Sequence, residues 1–171
     1  REPCVIYFPS KIKPGRTLSA PMMTIDLLPT IAEITGSQLP EKKIDGKSVW
    51  NIWTGETEES PQEAYFFYYK SNELHGVRYK NWKLYFPHSY RTLKGREGGT
   101  DAFPVNYEIV NFNEIALYDL SKDISETNDI ASENPKIVDK IKILADEMRS
   151  KLGDRLYAIE GNENRPVGRV K

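Results

Sequence analysis

The sequence of 171 residues predicts an α+β fold, in which a small antiparallel β-sheet of about four strands precedes a long C-terminal helix. Residues 64–86 hold three segments rich in aromatic and branched side chains, and the spacer Lys80-Asn81 between the last two is typical of a β-hairpin. Residues 115–120 resume this strand pattern. Residues 134–153 carry an apolar stripe at helical spacing, which begins with an Asn-Pro pair and ends at a glycine.

A strand and a helix are predicted ahead of this unit. The apolar run from Val5 to Phe8 indicates a short strand that is buried on both faces. Helical spacing of apolar residues over 25–35 indicates a helix, with Pro29 in its first turn and Gly36 as its C-terminal cap. Residues 37–62 are polar and rich in turn residues, which indicates a linker and a domain boundary near residue 60. The predicted domains are therefore residues 1–59 and 60–171.

The composition argues against several classes of protein. Lysine and arginine number 24 against 25 aspartates and glutamates, so no basic field is available to hold nucleic acid or an anionic membrane. No apolar run reaches the roughly 18–20 residues that span a bilayer, so no membrane-spanning segment is expected. The single cysteine, Cys4, excludes an internal disulfide, and its apolar neighbours favour inert packing over a role as a nucleophile.

The segment from residue 87 to residue 114 is predicted to be a long loop, because it contains several glycines and little periodicity. His88 and Arg91 lie near its start, directly after a strand, where anion-binding groups are commonly placed. The guanidinium fork of an arginine suits a sulfate or a phosphate. The alternative is a charged loop that is merely solvated. His75 lies within a strand pattern and is expected to be a satisfied sheet histidine.

Residues 119–129 contain four carboxylates and an asparagine, which raises the question of a calcium loop. The spacing lacks the alternating ligands and the central glycine of an EF-hand. These side chains are therefore expected to cap turns, and no metal ligand is predicted in the chain.

Several short motifs follow one another in a defined order along essentially the whole chain. They are Arg1-Glu2-Pro3, Phe8-Pro9-Ser10-Lys11-Ile12-Lys13-Pro14-Gly15, Thr24-Ile25-Asp26-Leu27-Leu28-Pro29-Thr30, Ile44-Asp45-Gly46-Lys47-Ser48, Leu117-Tyr118-Asp119-Leu120 and Arg165-Pro166-Val167-Gly168-Arg169-Val170. Their order resembles the end of the catalytic domain and the C-terminal subdomain of type I, formylglycine-dependent sulfatases. Within that family, the chain looks similar to the bacterial arylsulfatase A-like enzymes.

The resemblance implies that residues 1–59 end the α/β catalytic domain, as a strand and a helix, and that residues 60–171 form the C-terminal subdomain. It also implies a sulfuric ester hydrolase whose formylglycine and calcium sites lie upstream of this chain. The signatures C-x-P-S-R and S-x-P-S-R do not occur in the sequence. The chain alone is therefore expected to be inactive and to bind no cofactor.

The resemblance further implies that this segment contributes the substrate-side rim of the active site, for which His88 and Arg91 are the candidate residues. The expected substrate of the intact enzyme is a sulfated small molecule or a sulfated carbohydrate, and the expected location is periplasmic or secreted. Two alternatives remain open at this point. One is a phosphonate or phosphate monoesterase of the same superfamily, and the other is a non-catalytic interaction module.

The apolar residues of the first segment also predict self-association of the chain. The strand at residues 5–8 and the helix after it require cover that the other residues of the chain do not supply. Bare strand edges favour pairing with a second copy, so self-association through residues 1–35 is expected.

Overall fold

The computed structural model describes residues 3–166. The motif residues Arg1, Glu2 and 167–170 therefore lie outside the described residues. The chain divides into two compact units, Arg1–Glu63 and Ala64–Lys171. No helix within residues 3–166 is both long and apolar enough to span a membrane.

The described part of the first unit, residues 3–63, contains two short helices. A 3₁₀ turn over Thr24–Asp26 leads into helix α1, Leu27–Thr35, and helix α2 covers Trp50–Thr54. The predicted helix is thus confirmed, with Pro29 in its first turn and Gly36 in the left-handed conformation at φ 66°. The side chains that α1 buries are Pro29, Thr30 and Ala32, whereas Leu28 is 52% exposed.

The predicted strand at residues 5–8 is wrong. Residues 3–8 form no regular structure, and Val5 is 95% exposed and Tyr7 is 87% exposed. A β-strand exists only through hydrogen bonds to a neighbouring strand, and residues 3–63 contain no strand that could pair with this segment. Cys4 is exposed for the same reason, so the packed environment expected for its thiol is also absent.

A buried carboxylate organises the rest of the first unit. Asp26 is fully buried, and its two oxygens accept hydrogen bonds from the backbone N–H groups of Met23 and Lys47 and from the amide of Gln62. These bonds satisfy a charge that burial would otherwise penalise. A small apolar core accompanies this carboxylate; its buried members are Val49, Ile52 and Trp53.

The second unit is an α+β structure. Its strands are β1 (Ala64–Tyr69), β2 (Glu73–Tyr79), β3 (Trp82–Tyr85), β4 (His88–Thr92), β5 (Glu108–Phe112), β6 (Ala116–Asp119), β7 (Gly153–Asp154) and β8 (Ile159–Glu160). Helix α3 covers Pro135–Leu152 and ends before Gly153, which has a positive φ. The main sheet has four antiparallel strands in the order β1-β2-β3-β6, so the predicted sheet and C-terminal helix are confirmed.

Helix α3 covers one face of this sheet, where it packs against β1, β2 and β3. Its apolar stripe meets the inward side chains of the strands in one continuous core. The buried core residues are Ala64, Leu74, Val77, Leu84, Phe86, Leu117, Val138, Ile141, Leu144 and Ala145. Burial of these side chains supplies the main stabilising free energy of the unit.

The prediction of one long loop over residues 87–114 is wrong. Strands β4 and β5 form a separate antiparallel ribbon in which His88 lies opposite Phe112 and Thr92 lies opposite Glu108. Both strands present polar side chains, and neither strand is buried on one face, so they lack the strict alternation by which a strand is recognised in sequence. Only the connection between them, residues 93–107, is irregular.

Candidate functional site

A β-bulge in strand β2 displaces His75 from the regular ladder. Phe67 pairs with Gly76 and Tyr68 pairs with Leu74, so His75 is the extra residue on its strand. Bulges of this kind re-aim a side chain. The ring of His75 consequently contacts the aromatic rings of Tyr69 and His88, while Leu74 lies in the core beneath α3.

His88 stacks on His75. The backbone N–H of Phe86 donates to the carbonyl of His75 at 2.9 Å, which brings the chain that follows β3 over the bulge. The two imidazole rings are 4.1 Å apart between centroids and 26° from parallel. Three further rings surround His88 at centroid distances between 5.5 and 5.9 Å; they are Phe112, Tyr90 and Tyr85. The ring of His88 thus stacks on the ring of His75 and has aromatic side chains around it.

A buried carboxylate lies beside the stacked rings. Glu73 is 4% exposed, and its Oε2 lies 3.0 Å from Nε2 of His75. Its Oε1 accepts a hydrogen bond from Nη2 of Arg155 at 2.6 Å. Burial alone would raise the pKa of Glu73, but the hydrogen bonds from His75 and Arg155 outweigh it and hold that pKa below its ordinary value.

The turn between β1 and β2 adds a lysine to the site. Lys70, Ser71 and Asn72 have φ values of 45°, 59° and 82°, a run of left-handed conformations that is costly for residues other than glycine. The Nζ of Lys70 donates to Oγ of Ser89, the residue next to His88. We call the set of Lys70, Glu73, His75, His88 and Arg155 the histidine cluster.

The protonation state of His88 follows from its contacts. Nδ1 lies 2.6 Å from the carbonyl oxygen of Phe86, and because a carbonyl only accepts, Nδ1 carries the hydrogen. Burial lowers the pKa of His88, and the nearby charge of Lys70 acts in the same direction. His88 is therefore a neutral imidazole at pH 7, whose Nε2 has no hydrogen-bond partner within residues 3–166.

The structure separates the two predicted site residues. His88 and Arg91 are three positions apart on strand β4, and side chains alternate between the faces of a strand, so the two residues lie on opposite faces. Two further basic residues lie on the connection after β4, and both are engaged by neighbouring groups. Lys94 pairs with Glu108 at 2.9 Å, and Arg96 donates to the carbonyl of Asn106 at 2.8 Å.

The aspartates of the acidic segment at residues 119–129 cap turns, as predicted, whereas Glu126 accepts hydrogen bonds from the side chains of Lys83 and Tyr85. One oxygen of Asp123 accepts from the backbone N–H groups of Thr127 and Asn128, and Asp129 accepts from those of Leu117 and Ala131. Among the described residues, no group of three or more histidine, cysteine, aspartate or glutamate side chains converges to hold a metal ion.

The chain matches two known protein families. Residues 60–166 match the family described as the C-terminal region of aryl-sulfatase, and residues 1–97 match the family described as N-sulphoglucosamine sulphohydrolase, C-terminal. Each match spans more than half of the chain. The chain belongs to the sulfatase family. It supplies the C-terminal segment of a sulfatase, as the motif order predicts.

Individual sulfatases share this relationship over most of the chain. Human arylsulfatase A is 31% identical over 84% of the chain, and a sulfatase of Formosa agariphila is 28% identical over 95% of the chain. A solved structure described with the metabolism of multiple glycosaminoglycans by Bacteroides thetaiotaomicron superposes with a TM-score of 0.64, at 25% identity, over 84% of this chain and 28% of that chain. The chain spans less than a third of the length of the curated relatives, 29% and 28% for the two named here.

Part of the histidine cluster of this sulfatase segment is not predictable from the sequence. His75 was correctly expected to be a satisfied histidine, since Glu73 bonds its ring, but its stacking on His88 was not expected. One usable signal was present. Glu73 and His75 are two positions apart on a strand, a spacing that allows both side chains to share one face. Arg155 carried no such signal, because it arrives from a segment 82 residues away.

Proposed function

We propose that the protein containing this chain hydrolyses sulfate esters, with residues 1–59 as the end of its catalytic domain and residues 60–171 as its C-terminal subdomain. The match of residues 60–166 to the C-terminal region of aryl-sulfatase carries this proposal. The match of residues 1–97 to a second sulfatase family supports it from the other end of the chain. A periplasmic or secreted location stays a prediction.

Neither a formylglycine signature in the sequence nor a metal-ligand cluster among the described residues accounts for the nucleophile and the cation of such an enzyme. We propose that a formylglycine and calcium are supplied by parts of the enzyme outside this chain. We propose that the described residues bind and orient the leaving alcohol.

His88 is the residue best suited to that task. It is half-buried, its ring is held by His75 and by the carbonyl of Phe86, and its Nε2 is unbonded within the described part of the chain. Preorganised groups of this kind orient a substrate at little entropic cost. Arg91 is exposed on the other face of β4, so its role in binding stays a prediction that is independent of His88.

We propose a sulfated carbohydrate as the substrate class. The solved relative from Bacteroides thetaiotaomicron is described with glycosaminoglycan metabolism, and the second matching family is named for N-sulphoglucosamine. A sugar offers hydroxyl groups next to its sulfate ester, and a neutral imidazole can bind a hydroxyl group. The carbohydrate is therefore favoured over a simple aryl sulfate as the natural substrate.

The purified protein that contains this chain tests the proposal. Sulfate release is measured from sulfated monosaccharides and from 4-nitrophenyl sulfate, and phosphate or phosphonate release is measured from the matching esters. We expect turnover of the sulfate esters and faster turnover of the sugars. Turnover of phosphate or phosphonate esters alone would support the related monoesterase activity, and no turnover of any ester would support an interaction module.

Variants at the rim test the role of its residues. A residue that contacts the leaving group lowers kcat/KM when it is removed, by about tenfold for each 1.4 kcal/mol of lost transition-state binding. We expect this loss for His88→Ala. Glu108→Gln is the matched control, since Glu108 lies on the same ribbon but pairs with Lys94. Wild-type kinetics in His88→Ala on the best sugar substrate would refute the role of His88.

A further inference from the structure

The histidine cluster contains both histidines of the chain, and one of them has no direct place in the proposed function. His75 is 7% exposed, so it cannot be the main contact of a ligand. It lies between Glu73 and His88, with a hydrogen bond on one side and a ring stack on the other. A buried polar ring costs free energy unless it is hydrogen-bonded; the bond to Glu73 meets this need and leaves the face of the ring to stack on His88.

The hydrogen-bond directions along the cluster are fixed by chemistry. The carboxylate of Glu73 only accepts, so Nε2 of His75 donates to it. Arg155 only donates, and its bond to the other oxygen of Glu73 fixes the orientation of that carboxylate. The ring of His75 is thereby held in one plane. His88 lies on that plane at 4.1 Å, with Nδ1 on the carbonyl of Phe86.

We propose that Glu73 and His75 are positioning residues that hold His88 as the neutral Nδ1–H tautomer, so that its Nε2 lone pair accepts a hydrogen bond from a hydroxyl group of the substrate. This inference rests on the proposed function for the identity of the ligand. The positioning of His88 itself depends only on the described residues.

The chemistry of Nε2 sets the kind of group that His88 can recognise. In the Nδ1–H tautomer, Nε2 is an acceptor and has no hydrogen to donate. The oxygens of a sulfate ester are also acceptors, so neutral His88 does not bind the sulfate group. A hydroxyl group beside the ester can donate to it. His88 therefore selects the hydroxyl pattern of the sugar and leaves recognition of the sulfate to other residues.

The charges around His88 support a neutral ring. Lys70 approaches from the β1–β2 turn, and its charge opposes protonation, as does His75 from β2. The hydrogen bond to the carbonyl of Phe86 and the charge of Glu73 act in the opposite direction, but burial is the largest effect, and the pKa of His88 is lowered. Tyr85 from β3, Tyr90 from β4 and Phe112 from β5 contribute aromatic rings to the cluster.

The tautomer is tested by ¹⁵N NMR of the full 171-residue chain labelled at histidine. Two imidazoles give a simple spectrum, and variants at His75 leave His88 alone in it. The wild type is expected to show His88 with a protonated Nδ1 and an unprotonated Nε2 at pH 7.5. In His75→Ala we expect a mixture of tautomers, because the ring of His88 loses the ring on which it stacks and can turn away from the carbonyl of Phe86. In His75→Phe an aromatic ring is again present for His88 to stack on, and the single tautomer should be restored.

Glu73→Gln tests the other positioning residue. An amide can present either an oxygen or an N–H to His75, so the plane of that ring is no longer fixed by chemistry. Loss of the carboxylate also removes the charge that raises the pKa of His88. We expect a lower pKa of His88 and broadened ring signals, whereas Glu108→Gln should change neither. A protonated Nε2 in the wild type, or unchanged signals in both His75→Ala and Glu73→Gln, would overturn the positioning of His88.

Kinetics of the protein that contains this chain test the ligand. A sulfated sugar and its deoxy analogue, which lacks the hydroxyl group next to the ester, are compared. We expect His88→Ala to lower kcat/KM by about tenfold on the sugar and to change it little on the analogue. Equal losses on both would overturn hydroxyl recognition. Inactivity of the wild type would refute the proposed function and the hydroxyl contact together, while the NMR result would still decide the positioning of His88.

Discussion

Arg149 donates a 2.9 Å hydrogen bond from Nε to Oδ2 of Asp154, and the two side chains are 7% and 0% exposed. The rings of Phe86 and Tyr157 lie 4.4 and 4.5 Å from the guanidinium carbon. Nη2 of Arg149 has no hydrogen-bond partner within residues 3–166. The two aromatic rings make cation–π contacts with the guanidinium group. Because Asp154 also accepts from the backbone of Leu74, the pair joins the end of α3 to strand β2.

Removal of Arg149 is expected to destabilise the second unit strongly. In Arg149→Ala the fully buried carboxylate of Asp154 loses its counter-charge, and breaking a buried pair in this way costs about 3–5 kcal/mol of unfolding free energy. Urea denaturation measures the loss. The matched control is Asp146→Ala, because Asp146 binds the same arginine but is 72% exposed, and its removal should cost less than about 1 kcal/mol. Equal losses in the two variants would contradict this account.

Gly46 is expected to tolerate no side chain. A Cβ at this position would lie 1.9 Å from the backbone carbonyl oxygen of Ile25, so Gly46→Ala must displace the backbone beside the buried Asp26. Overpacking of this kind costs about 1–3 kcal/mol or more. Tryptophan fluorescence reports the unfolding of the first unit through the buried Trp53. Gly98→Ala has open space around its new Cβ and should unfold like the wild type. A stable Gly46→Ala chain would contradict the geometry.

Acid is expected to destabilise the chain through Glu73. Its pKa in the folded chain lies below its ordinary value of 4.5, so the unfolded chain takes up a proton first as the pH falls. The stabilisation is therefore complete above pH 4.5 and is lost as the pH falls through the folded-state pKa. The urea midpoint of unfolding, measured as the pH is lowered from about 7 to about 3, should fall less steeply in Glu73→Gln than in the wild type. Parallel profiles would exclude Glu73 as a contributor.

Self-association through residues 1–35 stays a prediction, and its physical basis has changed. Residues 5–8 are not a strand, but Val5 and Tyr7 are almost fully exposed. Leu28 and Ile31 are each about half exposed. Exposed apolar surface of this kind favours association. Light scattering on the chain should report an oligomer, and removal of residues 1–55 should abolish it. A monomer at every concentration tested would refute the prediction.

The chain alone is expected to release no sulfate. It lacks a formylglycine signature, and within the described residues the carboxylates of the acidic segment are engaged, the aspartates in capping turns and Glu126 in bonds to Lys83 and Tyr85. Incubation with 4-nitrophenyl sulfate should give no more product than the buffer, and a calorimetric titration with calcium should show no specific binding. Turnover above the uncatalysed rate by the purified chain would place a nucleophile in these residues after all.

The sequence by itself determined the elements whose stabilisation is local or strictly periodic. Helix α3 was predictable because its apolar stripe repeats every three or four residues between an Asn-Pro start and a glycine. The hairpin of β2 and β3 was predictable because two residues separate two strongly apolar segments. The family was predictable because short motifs follow one another along the chain in the same order as in the sulfatases.

Tertiary structure decided the features that depend on contacts between distant residues. Residues 5–8 have the composition of a strand, but a strand requires a neighbour, and none exists within residues 3–63. Strands β4 and β5 pair through their backbones, which polar side chains do not disclose. The histidine cluster required a bulge at His75, a return of the chain at His88 and an arginine from position 155. No local pattern encodes such a meeting, because its contacts join segments as far as 82 residues apart in the sequence.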